Sequence, residues 1–158
     1  MNFEAAVQAL CDAGVDFIIV GGWSAILHGS AHLTNHLDIF FSRRPGNLRR
    51  LVRALAPYHP RLRDLPEALP FLWDEATLPN GTTFTLTTEL GQIDLRGEVS
   101  GLGSFEEVDA ASLSVDAFGR RVRTLDLKSL IKSKRAAGRA KDLLVLPELE
   151  TLLESEEP

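Results

Sequence analysis

The stretch from Phe17 to Asp38 places the tightest constraint on how this chain folds. A four-residue apolar run, FIIV, ends in Gly21-Gly22, a helix-like stretch follows, and the chain returns through His36-Leu37-Asp38. Asp16 to Val20 is β-branched, aromatic and too short for a helix, so it reads as a buried strand. Paired glycines let the backbone approach another group closely, and the free N–H groups that open the following helix attract an anion. Strand alternation in HLDIFF puts His36, Asp38 and Phe40 on one face and Leu37, Ile39 and Phe41 on the other. A paired glycine after a strand is also an ordinary turn. The turn alone therefore assigns no chemistry.

Flanking patterns supply the remaining elements. Phe3, Ala6, Val7, Leu10 and Cys11 recur at helical spacing, with Asn2 as N-cap and Gly14 as stop. Gly22 to Leu27 reads as a helix that breaks near Gly29-Ser30, and Gly46 to Leu55 as an amphipathic helix. Residues 56–70 hold four of the eight prolines and read as an irregular connection. Thr82 to Thr88 and Gly91 to Arg96 read as a strand pair. Phe105 to Ala110 reads as a short helix, and Ser112 to Ala117 with Arg120 to Thr124 as a hairpin around Phe118-Gly119. Asp126 caps a helix to about Ala137, Gly138 interrupts it, and a last helix runs from about Arg139 to Leu153. One domain over residues 1–154 is expected, with a frayed tail at 155–158.

Charge is distributed unevenly along the 158 residues, whose net charge is −5. Residues 1–42 contain no Lys or Arg, and between Arg120 and Lys141 there are nine basic residues against one acidic, Asp126. A basic block in an acidic chain argues for a local anion site or a solvated helix face, rather than a general nucleic-acid surface. Mean hydropathy is near zero, and no apolar run approaches the ~20 residues of a membrane span. MNFEAAVQAL lacks Lys and Arg and reads as neither a secretory signal nor a transit peptide. The single cysteine, Cys11, excludes an internal disulfide framework and a cysteine-based zinc site. The expected location is the cytosol.

Two carboxylates carry the chemical signal. Asp38 and Asp94 each interrupt an apolar strand, in L-D-I and I-D-L, where β-propensity disfavours Asp. Paired ions that clamp a phosphoryl transfer need about three carboxylates. Ser24 lies in the first helical turn, where its hydroxyl adds a donor. On the helix after Asp126, Leu127, Leu130 and Ile131 make an apolar stripe whose next position is Lys134. Its ammonium either reaches over a pocket rim toward a triphosphate or snorkels to water.

VGGWSAILHGSAHLTNHLDIFF resembles the glycine-rich turn and metal strand of small bacterial nucleotidyltransferases of the polymerase-β-like superfamily. The likeness is nearest to abortive-infection-type toxin nucleotidyltransferases and their uncharacterised relatives. TLDLKSLIKSKRAAGRAKDLLVLPELE resembles the C-terminal signature of the same group. The resemblance implies an α/β (α+β) nucleotidyltransferase fold, a mixed twisted sheet flanked by helices. It also implies a nucleoside triphosphate substrate, Mg²⁺ or Mn²⁺ as cofactor, and transfer of NMP to a hydroxyl of a protein, an RNA end or a small molecule. An antitoxin or other protein partner would fit the toxin relatives. Carried over by position, Gly21, Gly22 and Ser24 hold the triphosphate with Lys134 and Arg139. Asp38 and Asp94 are then the metal ligands and catalytic carboxylates, Asp94 activating the acceptor. Lys141 and Asp142 also match the signature, although Asp142 has a local salt bridge as its alternative.

His36 departs from that pattern by standing where the family has its first Asp, and His32 stands where an Arg is expected. A neutral imidazole is a poor Mg²⁺ ligand, whereas Mn²⁺, Co²⁺ or Zn²⁺ tolerates it better. The change leaves open a non-catalytic nucleotide-binding or protein-interaction module. His28, His32 and His36 also recur every four residues, a metal face if one helix continued through them. Gly29, Ser30 and Thr34 argue against that helix. His28 reads as a satisfied histidine behind the turn, Cys11 as core, and Trp23 and Trp73 as packing.

Overall fold

The computed structural model describes residues 1–157. Seven strands form one mixed sheet in the order β3-β4-β5-β2-β1-β7-β6. They are β1 (Phe17–Val20), β2 (His36–Phe41), β3 (Arg61–Leu62), β4 (Thr83–Thr88), β5 (Gly91–Arg96), β6 (Leu113–Ala117) and β7 (Arg120–Thr124). The helices are α1 (Phe3–Asp12), α2 (Gly21–Leu27), α3 (Pro45–Leu55), α4 (Phe105–Ala111), α5 (Leu127–Ala137) and α6 (Ala140–Glu156). β1 and β2 occupy the centre and are almost wholly buried, which accounts for their near-continuous apolar sequence. They run antiparallel to each other, while β2 pairs in parallel with β5 and β1 with β7.

The alternation in β2 sorts its side chains between two cores. Leu37, Ile39 and Phe41 join Val7, Leu10, Leu51 and Leu55 of α1 and α3 on one face. Phe40 faces the other way, with Ile18 and Val20 of β1 against Leu130, Ile131, Val145 and Leu149 of α5 and α6. His36 and Asp38 share the face of Phe40, as the period of two requires.

Local signals end the helices where the sequence places them. Asn2 accepts from Ala5 N at 3.0 Å, and Asp126 accepts from Ser129 N at 2.8 Å. Gly138, with φ of +63°, stops α5 in the left-handed conformation that glycine tolerates.

Two expectations are corrected. The connection at 56–70 is not wholly irregular: it holds a 3₁₀ turn, Ala56–Tyr58, and the two-residue edge strand β3 on β4. A strand that short leaves no periodic trace. α6 runs on to Glu156, through the first two residues of the expected tail, and Pro158 lies outside the described residues. Among the described residues, no helix is long and apolar enough to cross a membrane.

Candidate functional site

The parallel register of β2 on β5 sets Asp38 directly beside Asp94, with His36 beside Gln92 and Phe40 beside Arg96. Both carboxylates are buried, at 4% and 5% exposure. A buried carboxylate needs a counter-charge or several hydrogen bonds, and each here has an arginine. Arg96 Nε and Nη2 lie 3.1 and 3.0 Å from Asp38 Oδ1. Arg63 Nη2 lies 2.6 Å from Asp94 Oδ1 and also donates to Leu86 O. The two remaining oxygens turn toward one imidazole: His36 Nε2 is 3.0 Å from Asp38 Oδ2 and 3.8 Å from Asp94 Oδ2. His36 Nδ1 is 3.2 Å from Asn35 Oδ1.

This geometry shifts two protonation equilibria. Burial opposes ionisation of Asp38, but the hydrogen bond from His36 and the charge of Arg96 outweigh it and hold its pKa below the ordinary value. The hydrogen bond to Asp38 raises the pKa of His36 against the opposing effect of burial.

Gly21 permits the arrangement. Its φ is +64°, and a Cβ there would stand 2.5 Å from Asp38 Oδ2. At Gly22 a Cβ would meet Thr34 Cβ at 3.0 Å. The glycine pair thus admits β2 and the loop that precedes it against the turn.

Beyond this corner opens a cavity of about 1510 Å³ whose wall includes Gly21, Gly22, His36, Asp38, Lys134 and Arg139. Arg96 and Lys141 line it as well, whereas Asp94 does not. Lys134 follows the buried stripe of α5, as its spacing predicts, and its Nζ lies 3.3 Å from Asp142 Oδ1. Arg139 Nε donates to Asp142 Oδ2 at 2.6 Å. Asp142 is therefore a local anchor for both cations. Burial would raise its pKa, but Arg139 and Lys134 outweigh burial and lower it.

Ser24 is a correction. Its side chain is fully buried, its hydroxyl accepts from Thr124 Oγ1 at 2.7 Å, and it is not part of the cavity wall. The first turn of α2 points this position into the sheet. The three histidines do not converge either. His28 Nε2 bonds Leu125 O at 2.6 Å and His32 Nδ1 pairs with Glu148 at 2.7 Å, so only His36 reaches the carboxylates. Trp23 packs edge-on to Phe3 and Phe118, and Trp73 donates to Val52 O.

The sequence reading missed Arg63 and Arg96. Arg96 had a signal, since it lies two residues after Asp94 on the same strand face. Arg63 had none, because it is delivered by β3 from the proline-rich connection.

No protein-family profile matches the sequence, and no curated protein matches it. Solved structures do. The lincosamide antibiotic adenylyltransferase LnuA, in its lincomycin-bound structure, superposes with a TM-score of 0.60 at 13% identity, covering 92% of each chain. This chain has the nucleotidyltransferase fold. A proposed nucleotidyltransferase of Thermotoga maritima shares that fold at a TM-score of 0.58 and 13% identity, over 92% of this chain and 88% of that one. The antibiotic-resistance factor ANT(2'')-Ia aligns at 0.55 and 18% identity, over 96% of this chain and 82% of its own. At these identities the likeness establishes the nucleotidyltransferase fold, within which the His36, Asp38 and Asp94 cluster is a possible divalent-metal site.

Proposed function

We propose that this chain binds a nucleoside triphosphate and transfers its nucleoside monophosphate to an acceptor hydroxyl with a divalent metal. The observation that carries the reading is the in-register pair Asp38 and Asp94 beside Gly21-Gly22, at a cavity whose wall also presents Lys134 and Arg139. The cluster supplies one nitrogen and two oxygen donors within 4.8 Å of one another, a set that suits a divalent ion. Mg²⁺ or Mn²⁺ is the ion the family resemblance implies, and when bound it would polarise the α-phosphate and offset charge on the leaving group.

The chain's own groups do the rest. Gly21 lets Asp38 stand at the turn, and Lys134 and Arg139 supply cations for the polyphosphate. In the transfer, the acceptor oxygen bonds to the α-phosphorus while the bond to the bridging oxygen breaks and pyrophosphate departs. The hydroxyl proton passes to the Asp94 carboxylate. The acceptor is a small molecule in this reading, in preference to a protein side chain or RNA end. Two structural neighbours are named for antibiotics or antibiotic resistance, which supports that choice.

A second reading is a non-catalytic nucleotide-binding or protein-interaction module, of a regulatory or toxin–antitoxin kind. It is favoured by His36 in place of a carboxylate and by the arginine already on each aspartate. Incorporation of label from α-labelled NTPs, with Mg²⁺ or Mn²⁺, separates the two. Transfer by the natural chain supports the enzyme. Transfer only after His36→Asp supports the second reading, and failure of both proteins to bind any NTP overturns the transfer reading and leaves only the protein-interaction form of the second.

A further inference from the structure

The cluster is organised around one point rather than two. Each carboxylate gives its Oδ1 to an arginine and turns its Oδ2 to His36 Nε2, with Arg96 Nη2 also 3.8 Å from Asp94 Oδ2. The imidazole is oriented from behind, because the Asn35 amide oxygen accepts a hydrogen bond and so places a proton on Nδ1. The protonated ring donates from Nε2 to Asp38 Oδ2, whereas the neutral ring of this tautomer offers a lone pair on Nε2 to an incoming cation. A cation between the three atoms would join that lone pair to both carboxylate oxygens.

We propose that His36, Asp38 and Asp94 form a mononuclear site for a borderline transition cation of the Co²⁺ or Zn²⁺ class, in place of a magnesium pair. Four observations carry this. The contacts of 3.0 and 3.8 Å from Nε2 bracket the roughly 3.0–3.4 Å between adjacent ligands on bonds of about 2.1 Å. Every donor has an outer partner: Asn35 on the imidazole, Arg96 on Asp38 and Arg63 on Asp94. That is the supporting shell by which ligands are oriented and tuned. No further His, Cys, Asp or Glu joins the cluster among the described residues, so a bridging set for two ions is lacking. Finally, the imidazole nitrogen selects against Mg²⁺, which prefers oxygen ligands throughout.

The inference deepens the metal part of the proposed function and is independent of nucleotide transfer. It is tested on the full chain, stripped with a chelator and dialysed. Titration with Co²⁺ should give visible d–d absorption that saturates at one ion per chain, and calorimetry should show Co²⁺ and Zn²⁺ binding at least about tenfold more tightly than Mg²⁺. His36→Gln should weaken Co²⁺ at least about tenfold, and His36→Asp should narrow the preference over Mg²⁺. The natural protein alone decides the matter if the variants fail to fold. Two ions per chain, equal affinity for Mg²⁺, or no saturable Co²⁺ binding overturns the proposal, the last showing that a proton on His36 supplies the cation. Cobalt binding without NTP binding would sustain this site and sink the transfer reading. NTP binding without cobalt would sink this site and support the non-catalytic nucleotide-binding reading.

Discussion

Gly21 and Asp38 occupy each other's space: the direction in which Gly21 would carry a Cβ is filled by the Asp38 carboxylate, 2.5 Å away at Oδ2. Gly21→Ala meets two obstacles, a φ of +64° and that contact. The left-handed conformation alone costs an alanine about 1–2 kcal/mol, and Asp38 is pinned by Arg96 and His36. Denaturant unfolding should show a loss of at least about 1–2 kcal/mol. Metal affinity should fall with it, and an unchanged midpoint would mean that the turn relaxes freely.

Arg63 is the counter-charge of a buried carboxylate. Arg63→Met should destabilise the protein by roughly 1–3 kcal/mol, since it removes the nearest donor to a buried carboxylate while Arg96 stays 3.8 Å from its other oxygen. Adding Asp94→Asn to that variant should restore part of the loss. A double-mutant cycle measures this directly, and additive effects would show that the pair is uncoupled.

Ser24 and Thr124 make a buried hydroxyl pair between α2 and β7. Thr124 is also in hydrogen-bond contact with the Ile19 carbonyl, so Ser24→Ala leaves it a partner. The expected cost is about 1 kcal/mol of stability, with NTP affinity unchanged. A large fall in NTP affinity at unchanged stability would restore Ser24 to the binding site.

Asp142 gives a dependence on pH. Its folded pKa is lowered, so its ion pairs contribute fully above the unfolded value of about 3.9. That contribution disappears as pH falls through the lower folded value, because the unfolded chain takes up the proton first. Asp142→Asn should therefore be less stable than the natural chain at neutral pH, with the gap closing below about pH 4. Melting temperatures of both proteins across pH 2.5–7 follow the gap, and one that widens toward acid would contradict the assignment.

The legible part of this protein was written in local periods. The alternation of HLDIFF put His36 and Asp38 on one face, and the stripe of α5 aimed Lys134 at the cavity. Asp126 and Gly138 marked where that helix begins and ends. Each of these signals spans fewer than about ten residues and depends on backbone geometry alone.

What the sequence determined by itself was therefore the six helices, six of the seven strands, the glycine turn, and the identities of Asp38, Asp94 and the histidine at 36. The tertiary structure alone decided their company. Parallel register across more than fifty residues set Asp38 beside Asp94, and β3 carried Arg63 from the proline-rich connection to the same point. The packing of α2 turned Ser24 into the core. Strand register and side-chain burial arise from contacts between distant segments, which no local pattern encodes. Those contacts decide that two aspartates, two arginines and one histidine converge at the edge of the cavity.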